Sequence, residues 1–535
     1  MKNILFKKSK LIFITLTIAF GIWFNLPSTN FAGPLASGDH GRDLYAFQET
    51  LKGAQPYQNY WWVYGPLMPY YYALSFKILG VSIQSVLTAK FVLVVASGLF
   101  IFLTLLDFIP ALVAFAATLW FWCFQPDFFY TYNHIGGIFF STLILFFLSQ
   151  YFSSANKKYL YAGLISIFGL CLVKVNVGLF GLISFLLSCA IFDYAKNKNI
   201  LNKKLYLHAL WIIPLSSFSA LWFFVRRLHF YEIRQCFPYL KGDYPFHVSL
   251  WDSFFSFSKT MILNFTSWSL SNFVFGLIIF ICFLRFAWLF LTHKKDPNLK
   301  NTFLFLLSLI IFIFFFLNEF WSSAILYTVR WIFPFQLVLM FTLIGTTLKY
   351  LPNRLRLVCS IPFFLLALSF CLEKHSALQS FKKPNYYFAH KKAKVYLKNM
   401  PSWINTVTQT TTYLEKNLKK DENIFALPYD PLFYFLLDRT SPTRQLIFFD
   451  HIRIKDAQEK EIIKSLKENN ASYIIISNRS SSKEPGLGTF GITYCPLIFD
   501  YIQKNFTLIE TFGDWQNEPG WAGNYGTKIL KKIQK

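Results

Sequence analysis

Acidic side chains are scarce in this chain. Asp and Glu number 27 against 52 Lys and Arg, a net charge of +25, and charged residues of both signs make up only 15% of 535 residues. A soluble protein carries about 25%. The shortage is uneven: eleven of the acids precede Glu373 and sixteen lie from there to the end. A chain so poor in charge argues against a string of soluble domains. Cysteine pairs are also lacking. The eight cysteines (123, 171, 189, 236, 282, 359, 371 and 495) are scattered without C-x-x-C spacing or nearby histidines. They indicate neither a disulfide framework nor a zinc site, and most sit in apolar runs, where cysteine acts as a small hydrophobe. No glycine-rich phosphate loop follows a predicted strand, which removes the usual nucleotide-binding turn.

What is abundant is apolar surface. Hydrophobic residues make up 54% of the chain, and phenylalanine alone occurs 65 times. A membrane-spanning helix needs about 20 apolar residues, and about eleven runs supply them: Leu11–Leu26, Val86–Leu106, Ile109–Gln125, Asn133–Tyr151, Tyr159–Val173, Val175–Tyr194, Tyr206–Val225, Leu270–Leu291, Thr302–Leu317, Tyr327–Leu348 and Arg356–Leu372. The first follows MKNILFKKSK and ends in NLPSTNF without a small-residue cleavage site, so it reads as a retained helix. The basic residues cluster in alternate loops, at Lys157-Lys158, Lys196 to Lys204, HKKDPNLK (293–300) and KYLPNR (349–354). All share the side of the N-terminus, which the positive-inside rule makes cytoplasmic. The net charge therefore marks membrane orientation, and nucleic acid is not an expected partner.

The pattern changes near residue 375. IFALP (424–428) and YIIIS (473–477) read as short buried strands, DAQEKEIIKSLKENN (456–470) as an amphipathic helix, PLFYFLLD as a helix, and FTLIETF with TKILKK as paired strands. The expected fold is mainly α: a polytopic transmembrane bundle over residues 1–375, then an extracytoplasmic α/β domain with a helical linker over 376–535. The expected location is a bacterial plasma (inner) membrane, with the N-terminus cytoplasmic and the C-terminal domain outside.

Carboxylates at a membrane boundary are expensive and often functional. Asp39, Asp43, Glu49, Asp127, Glu232, Asp243, Asp252 and Glu319 all map to the outer side. The first outer loop runs SGDHGRDLYAFQETLKGAQPYQNYWWVYGPLMPYYYALSFKILG (37–80), with helical character from Leu44 to Leu51 and Tyr57, Tyr60, Trp61, Trp62 and Tyr64 after it. Such aromatics suit a membrane–water boundary or the face of a sugar ring.

This loop resembles that of the GT-C glycosyltransferases. The shared features are an acid soon after the first span, a short helix, L-x-G-x-x-P-Y (51–57) and a Gly-Pro approach to the next span. The likeness is narrower to bacterial relatives of protein O-mannosyltransferases and of the lipid A aminoarabinose transferase. That family commonly has an acidic pair in the loop; here His40 follows Asp39, and Asp43 is the nearest second acid. GLCLVKVNVGLF (169–180) resembles the family's G-x-x-x-x-T-K segment, with Val173 in place of Thr before Lys174. YTVRWIFPF (327–335) resembles its R-Y-x-x-P element and offers Arg330. YNHIGG (132–137) resembles the start of its fourth span and offers Asn133 and His134. WWVYG (61–65) has the look of the WWDYG signature of oligosaccharyltransferases, but that motif belongs to a C-terminal domain and Val63 replaces its acid.

The resemblance implies transfer of a sugar from a polyprenyl-phosphate donor to a lipid, glycan or protein acceptor on the outer face, by single displacement with inversion. It implies Asp39 as general base with Asp43 as the alternative, Lys174 and Arg330 on the donor phosphate, and Tyr64, Asn133 and His134 on substrate. No cofactor and no metal ligand set are read from the sequence, and a requirement for a divalent metal stays open. The physical logic is consistent. A leaving phosphate needs cations to stabilise its charge, and an acceptor hydroxyl needs a base. Structural readings stay open beside these: Lys174 and Arg330 could snorkel from helix ends, and Asp39 could cap the loop helix. Three other functions also stay open: a lipid-linked glycan flippase or transporter; a polysaccharide polymerase or ligase, for which Arg226, Arg227, His229 and Arg234 would suit; and an inactive scaffold that binds through its outer domain, which the missing second acid beside Asp39 leaves possible.

Overall fold

A computed structural model describes residues 2–32, 35, 38–125, 132–236, 270–293, 295–318, 328–375, 378, 385–398, 400–480, 488–515 and 524–533. Among the described residues a helix stands on each of the eleven apolar runs. α1 (Lys2–Asn25) leads to α2 (Gly38–Leu51) and α3 (Leu67–Leu79), neither of which is a spanning run. Then come α4 (Ile83–Leu106), α5 (Ala111–Phe124), α6 (Tyr132–Ser154), α7 (Lys157–Val173), α8 (Val175–Asn197) and α9 (Lys203–Val225). A short α10 (Phe230–Cys236) precedes α11 (Leu270–Thr292), α12 (Pro297–Asn318), α13 (Thr328–Lys349) and α14 (Asn353–Lys374). Among the described residues, eight helices are long and apolar enough to cross a membrane, while α5 and the Leu277–Thr292 part of α11 are apolar but shorter. α3 was not expected; the sequence reads there as an aromatic approach to the next span.

Spanning segments are helical because lipid offers no partner for a free N–H or C=O. Lipid also removes the hydrophobic drive between helices, so their association rests on shape and ring contacts. The phenylalanines supply these: Phe108 stacks on Phe305 and Phe152 on Phe192, both at 4.3 Å between ring centroids, and Phe312 on Phe335 at 4.8 Å.

The loops between helices gather at two ends of the bundle. At one end the Lys300 ammonium donates to the Ala195 carbonyl at 2.8 Å, Gln150 donates to Asp107 at 2.6 Å, and the Tyr350 hydroxyl donates to Asp296. Asp193 is buried there among neutral donors, Tyr151 and Tyr206 at 2.7 Å and Asn202 at 3.2 Å. The clusters of Lys and Arg in the sequence belong to these same loops, so charge alternation and three-dimensional placement agree.

The other end carries the second domain. β1 (Asn385–His390) and β2 (Ala393–Lys398) form an antiparallel hairpin, followed by α15 (Pro401–Asn417). A four-stranded sheet of order β3-β4-β6-β5 is built from β3 (Asn423–Leu427), β4 (Ala471–Ser477), β5 (Phe506–Gly513) and β6 (Gly526–Lys532). β3 and β4 are parallel, joined through α16 (Leu432–Leu437) and α17 (Asp456–Glu468), and their continuous apolar runs suit strands covered on both faces. α18 (Pro496–Asn505) precedes β5, which pairs antiparallel with β6 as FTLIETF and TKILKK predict.

α2 lies between the two domains, with twelve of its fourteen residues buried. It joins them through side chains. Lys392 Nζ donates to Gln48 at 2.9 Å and to Asp438 at 3.1 Å, Gln48 donates to Asp438 at 2.8 Å, and the Ser441 amide donates to the Tyr45 hydroxyl at 2.9 Å. Further along, the Trp61 amide donates to the Arg444 carbonyl at 2.9 Å and Arg444 pairs with Glu232 at 2.8 Å.

The two ends of the bundle give opposite expectations in intact cells. Lys198 and Lys295 are exposed at the basic end, and Lys464 is exposed on the C-terminal domain. With cysteine at each in turn, in a background without native cysteine, a membrane-impermeant maleimide should label position 464 and spare 198 and 295. The reverse pattern would put the C-terminal domain in the cytoplasm.

Candidate active site

α2 begins where the chain meets the C-terminal domain, and its first turns bring three charged side chains into contact. Arg42 lies one turn after Asp39 and beside Asp43, so one guanidinium reaches both acids. Nη1 pairs with Asp39 Oδ1 at 2.8 Å, Nη2 with Asp43 Oδ1 at 2.8 Å, and Nε with the same oxygen at 3.1 Å. The Arg42 side chain is 3% exposed, Asp43 is fully buried, and the Asp39 side chain keeps 18% of its surface open.

Burial would weaken the charge on Arg42, but the two carboxylates outweigh it and hold its pKa above its ordinary value. The acids differ. Burial pushes Asp39 up, yet Arg42, the Tyr429 hydroxyl, His40 and His134 outweigh it, and its pKa is lowered. For Asp43, burial exceeds the help from Arg42, and the pKa rises to about 6. Its Oδ2 makes no hydrogen bond of ordinary geometry, although the Tyr132 backbone amide lies close enough to draw the pKa down. One acid stays ionised and partly open; the other titrates near neutrality in a closed place.

The aromatic residues of the first loop wall this cluster. Arg42 sits 5.4 Å from the Trp62 ring centre and 5.2 Å from that of Tyr64, a cation–π arrangement on two faces. Tyr64 meets the His134 ring edge to face at 5.4 Å, and His40 meets Tyr132 in the same way at 5.4 Å. The loop then docks on the break between α7 and α8. The Gly65 amide donates to the Val173 carbonyl at 2.8 Å, satisfying a carbonyl left open by the helix end. Only glycine fits, since a Cβ would lie 2.0 Å from the Leu172 oxygen. Lys174 is the single extended residue at that break (φ −155°, ψ 107°), and it is buried.

The structure therefore brings together Asp39, Asp43, Tyr64 and His134, with Lys174 one residue from the carbonyl that Gly65 binds. Asn133 stands between Tyr132 and His134 on the first turn of α6. It is fully buried, and its side-chain amide makes no hydrogen bond to any described residue; the Tyr132 hydroxyl makes none either. Arg330 stands in the first turn of α13, but its side chain lies outside the described residues, as do Asp127, Asp243, Asp252 and Glu319. Among the described residues no group of three or more His, Cys, Asp and Glu side chains could hold a metal.

Two members of the cluster are not evident in the sequence reading, Arg42 and Tyr429. Arg42 leaves a local signal, a cation three residues after one acid and one before another, visible once the helix is known to begin at Gly38 and not at Leu44. Tyr429 leaves none. Its hydroxyl donates to Asp39 Oδ1 at 2.9 Å from 390 residues away.

Arg42→Gln should strand two carboxylates in a buried site, a change worth about 3–5 kcal/mol for a broken buried pair. Removing the cation raises both acids' pKa, so protonation relieves the strain. The melting temperature in detergent should therefore fall more at pH 8 than at pH 5. An equal drop at both would reduce Arg42 to packing.

No family profile and no curated protein matches the chain in sequence. Solved structures do match in shape. ArnT from Cupriavidus metallidurans bound to undecaprenyl phosphate is similar at 10% identity, with a TM-score of 0.57 over 99% of this chain and 98% of that one. The same protein in its apo state gives 11% identity and 0.54, over 98% of each chain. An Archaeoglobus fulgidus oligosaccharyltransferase in complex with zinc and sulfate gives 12% and 0.51, over 88% of this chain and 68% of that one. At such identity the likeness is one of fold, and it covers both domains. The chain is a multi-pass membrane protein with the GT-C fold.

Proposed function

We propose that the chain is a membrane glycosyltransferase that takes a sugar from a polyprenyl-phosphate donor and gives it to an acceptor on the extracytoplasmic face. The observation that carries this reading is the acid pair Asp39 and Asp43 sharing Arg42 at the junction of the bundle and the C-terminal domain. The fold adds support: the ArnT neighbour, similar over 99% of this chain, is bound to undecaprenyl phosphate.

In the proposed reaction the acceptor oxygen attacks the anomeric carbon while the bond from that carbon to the phosphate oxygen breaks. The acceptor proton passes to Asp39, and the phosphate leaves with the bond's electron pair. Lys174 and Arg330 stabilise that developing charge, Arg330 as a two-pronged donor. Inversion at the anomeric carbon follows from a single displacement. Asp39 is favoured over Asp43 because it is partly open where Asp43 is closed. A carboxylate held below its ordinary range is a weak base for a free alcohol. Proton transfer then comes late, once the new bond has made the hydroxyl acidic. Tyr64, Asn133 and His134 face the sugar or acceptor in this scheme. The unpaired Asn133 amide favours that role, since buried amides are normally satisfied and a sugar hydroxyl would satisfy this one.

The test is transfer kinetics with a polyprenyl-phosphate sugar. Asp39→Asn keeps the shape and removes the base, so turnover should drop by about 10²–10⁴-fold with donor binding intact. Asp43→Asn should cost far less. Arg330→Ala should weaken donor binding or turnover about tenfold or more, with Arg330→Lys rescuing in part, as for a lost hydrogen bond to a charged group. A dead Asp43→Asn beside an active Asp39→Asn would move the base one turn along the helix. Full transfer by both Asn variants would sink the mechanism and favour a flippase.

A further inference from the structure

We propose that Tyr429, contributed by the C-terminal domain, is a positioning residue for transfer: it fixes the orientation of the Asp39 carboxylate. The proposal rests on the glycosyltransferase reading and on Asp39 as its base.

Asp39 Oδ1 accepts from two groups that come from different parts of the chain. Arg42 Nη1 reaches it at 2.8 Å from the same helix, and the Tyr429 hydroxyl at 2.9 Å from the other domain. A carboxylate held by one donor can still turn about its Cβ–Cγ bond; two donors on one oxygen from different directions set its plane. Orientation of a base is worth much of its effect, because the proton must lie in line with a lone pair when the bond forms.

Tyr429 is itself held firmly. Its ring meets Phe449 edge to face at 5.6 Å, and its backbone carbonyl accepts from Arg479 Nη1 at 3.1 Å, with the Arg479 guanidinium 5.7 Å from its ring centre. Arg479 also lies 3.7 Å from Asp430, whose oxygens are taken by Ser477 at 2.5 Å and Tyr525 at 2.8 Å. Ser477 ends β4. A continuous set of contacts thus runs from the rigid sheet through Asp430, Arg479 and Tyr429 to the acid. On the membrane side the fit is equally close: a Cβ on Gly38 would lie 2.3 Å from the Tyr429 ring, so glycine lets the ring rest on the start of α2. The position of Asp39 therefore depends on the docking of a domain 390 residues away in sequence.

The charge environment gives the role a signature. Asp39 is faced by Arg42, His40 and Asp43 from its own helix, by His134 from α6, and by Tyr429 with Arg479 behind it from the C-terminal domain. The Tyr429 hydroxyl is among the groups that lower its pKa. Removing that donor must raise the Asp39 pKa. Activity that needs ionised Asp39 then loses its low-pH reach.

The test uses the full-length protein in membranes or detergent with a polyprenyl-phosphate sugar as donor. Tyr429→Phe keeps the ring and removes only the hydroxyl. Expected are a kcat about tenfold lower, the size of one hydrogen bond to a charged group, a donor KM within about twofold of wild type for a group that does not touch the donor, and an acid limb moved to higher pH. The second measurement is a double variant. If Tyr429 acts through Asp39, adding Tyr429→Phe to Asp39→Asn should cost nothing further, whereas a purely structural role would add its loss in both backgrounds. Unchanged kcat and pH profile in Tyr429→Phe, or additive losses in the double variant, would overturn the role. A wild type that transfers no sugar from any polyprenyl phosphate would overturn the glycosyltransferase reading, and this role with it. Wild-type transfer with an indifferent Tyr429→Phe overturns this role alone.

Discussion

A single guanidinium shared by two carboxylates sets the terms for the rest of this molecule. Arg42 binds Asp39 and Asp43 in a place nearly closed to water. Three charges in low dielectric are costly unless geometry and hydrogen bonds are close to ideal. Keeping them there requires cover on every side, and each neighbouring element provides part of it. Trp62 and Tyr64 cover the cation, Tyr132 closes over Asp43, and Tyr429 caps Asp39. α2 can be this polar because it crosses nothing. It lies between a membrane bundle and a water-exposed domain, and both give up surface to bury it.

That constraint also explains the asymmetry of the bundle. At the basic end the buried acid, Asp193, is satisfied by neutral tyrosine and asparagine donors and needs no cation. At the other end Arg42 holds both acids, His40 and His134 act on Asp39 alone, and the two pKa values are driven apart. Acids with pKa values separated by their surroundings are a common mark of a working site. An acid whose bonds are all met by neutral groups is a fastener. The break between α7 and α8 adjoins the same loop, since Gly65 anchors the first loop on Val173, one residue before Lys174.

Much of the architecture was legible because its cause is local. Each spanning helix is written as its own apolar run, and lipid leaves the backbone no alternative. All eleven runs therefore became helices, and β3, β4, β5, β6, α16 and α17 followed from short apolar stretches or helical periodicity. α3 was missed because tyrosines at a membrane edge look alike in a loop and in a helix. The site was legible only in part. Asp39, Lys174, Tyr64 and His134 were visible through motif likeness, and the structure draws them to one end. Arg42 was obscured by starting the helix six residues late. Tyr429 could not be read at all, because its importance arises only when two distant segments dock. Contacts of that kind leave no periodicity and no spacing.

The account's central claim is that this acid pair works on a sugar carried by a lipid phosphate. The most direct measurement supplies membranes containing the wild-type protein with one sugar in two radiolabelled forms, linked to polyprenyl phosphate and to a nucleotide. Label should pass to an acceptor from the lipid-linked form alone. Transfer from the nucleotide form, or movement of the intact lipid-linked sugar across the membrane without transfer, would contradict the account.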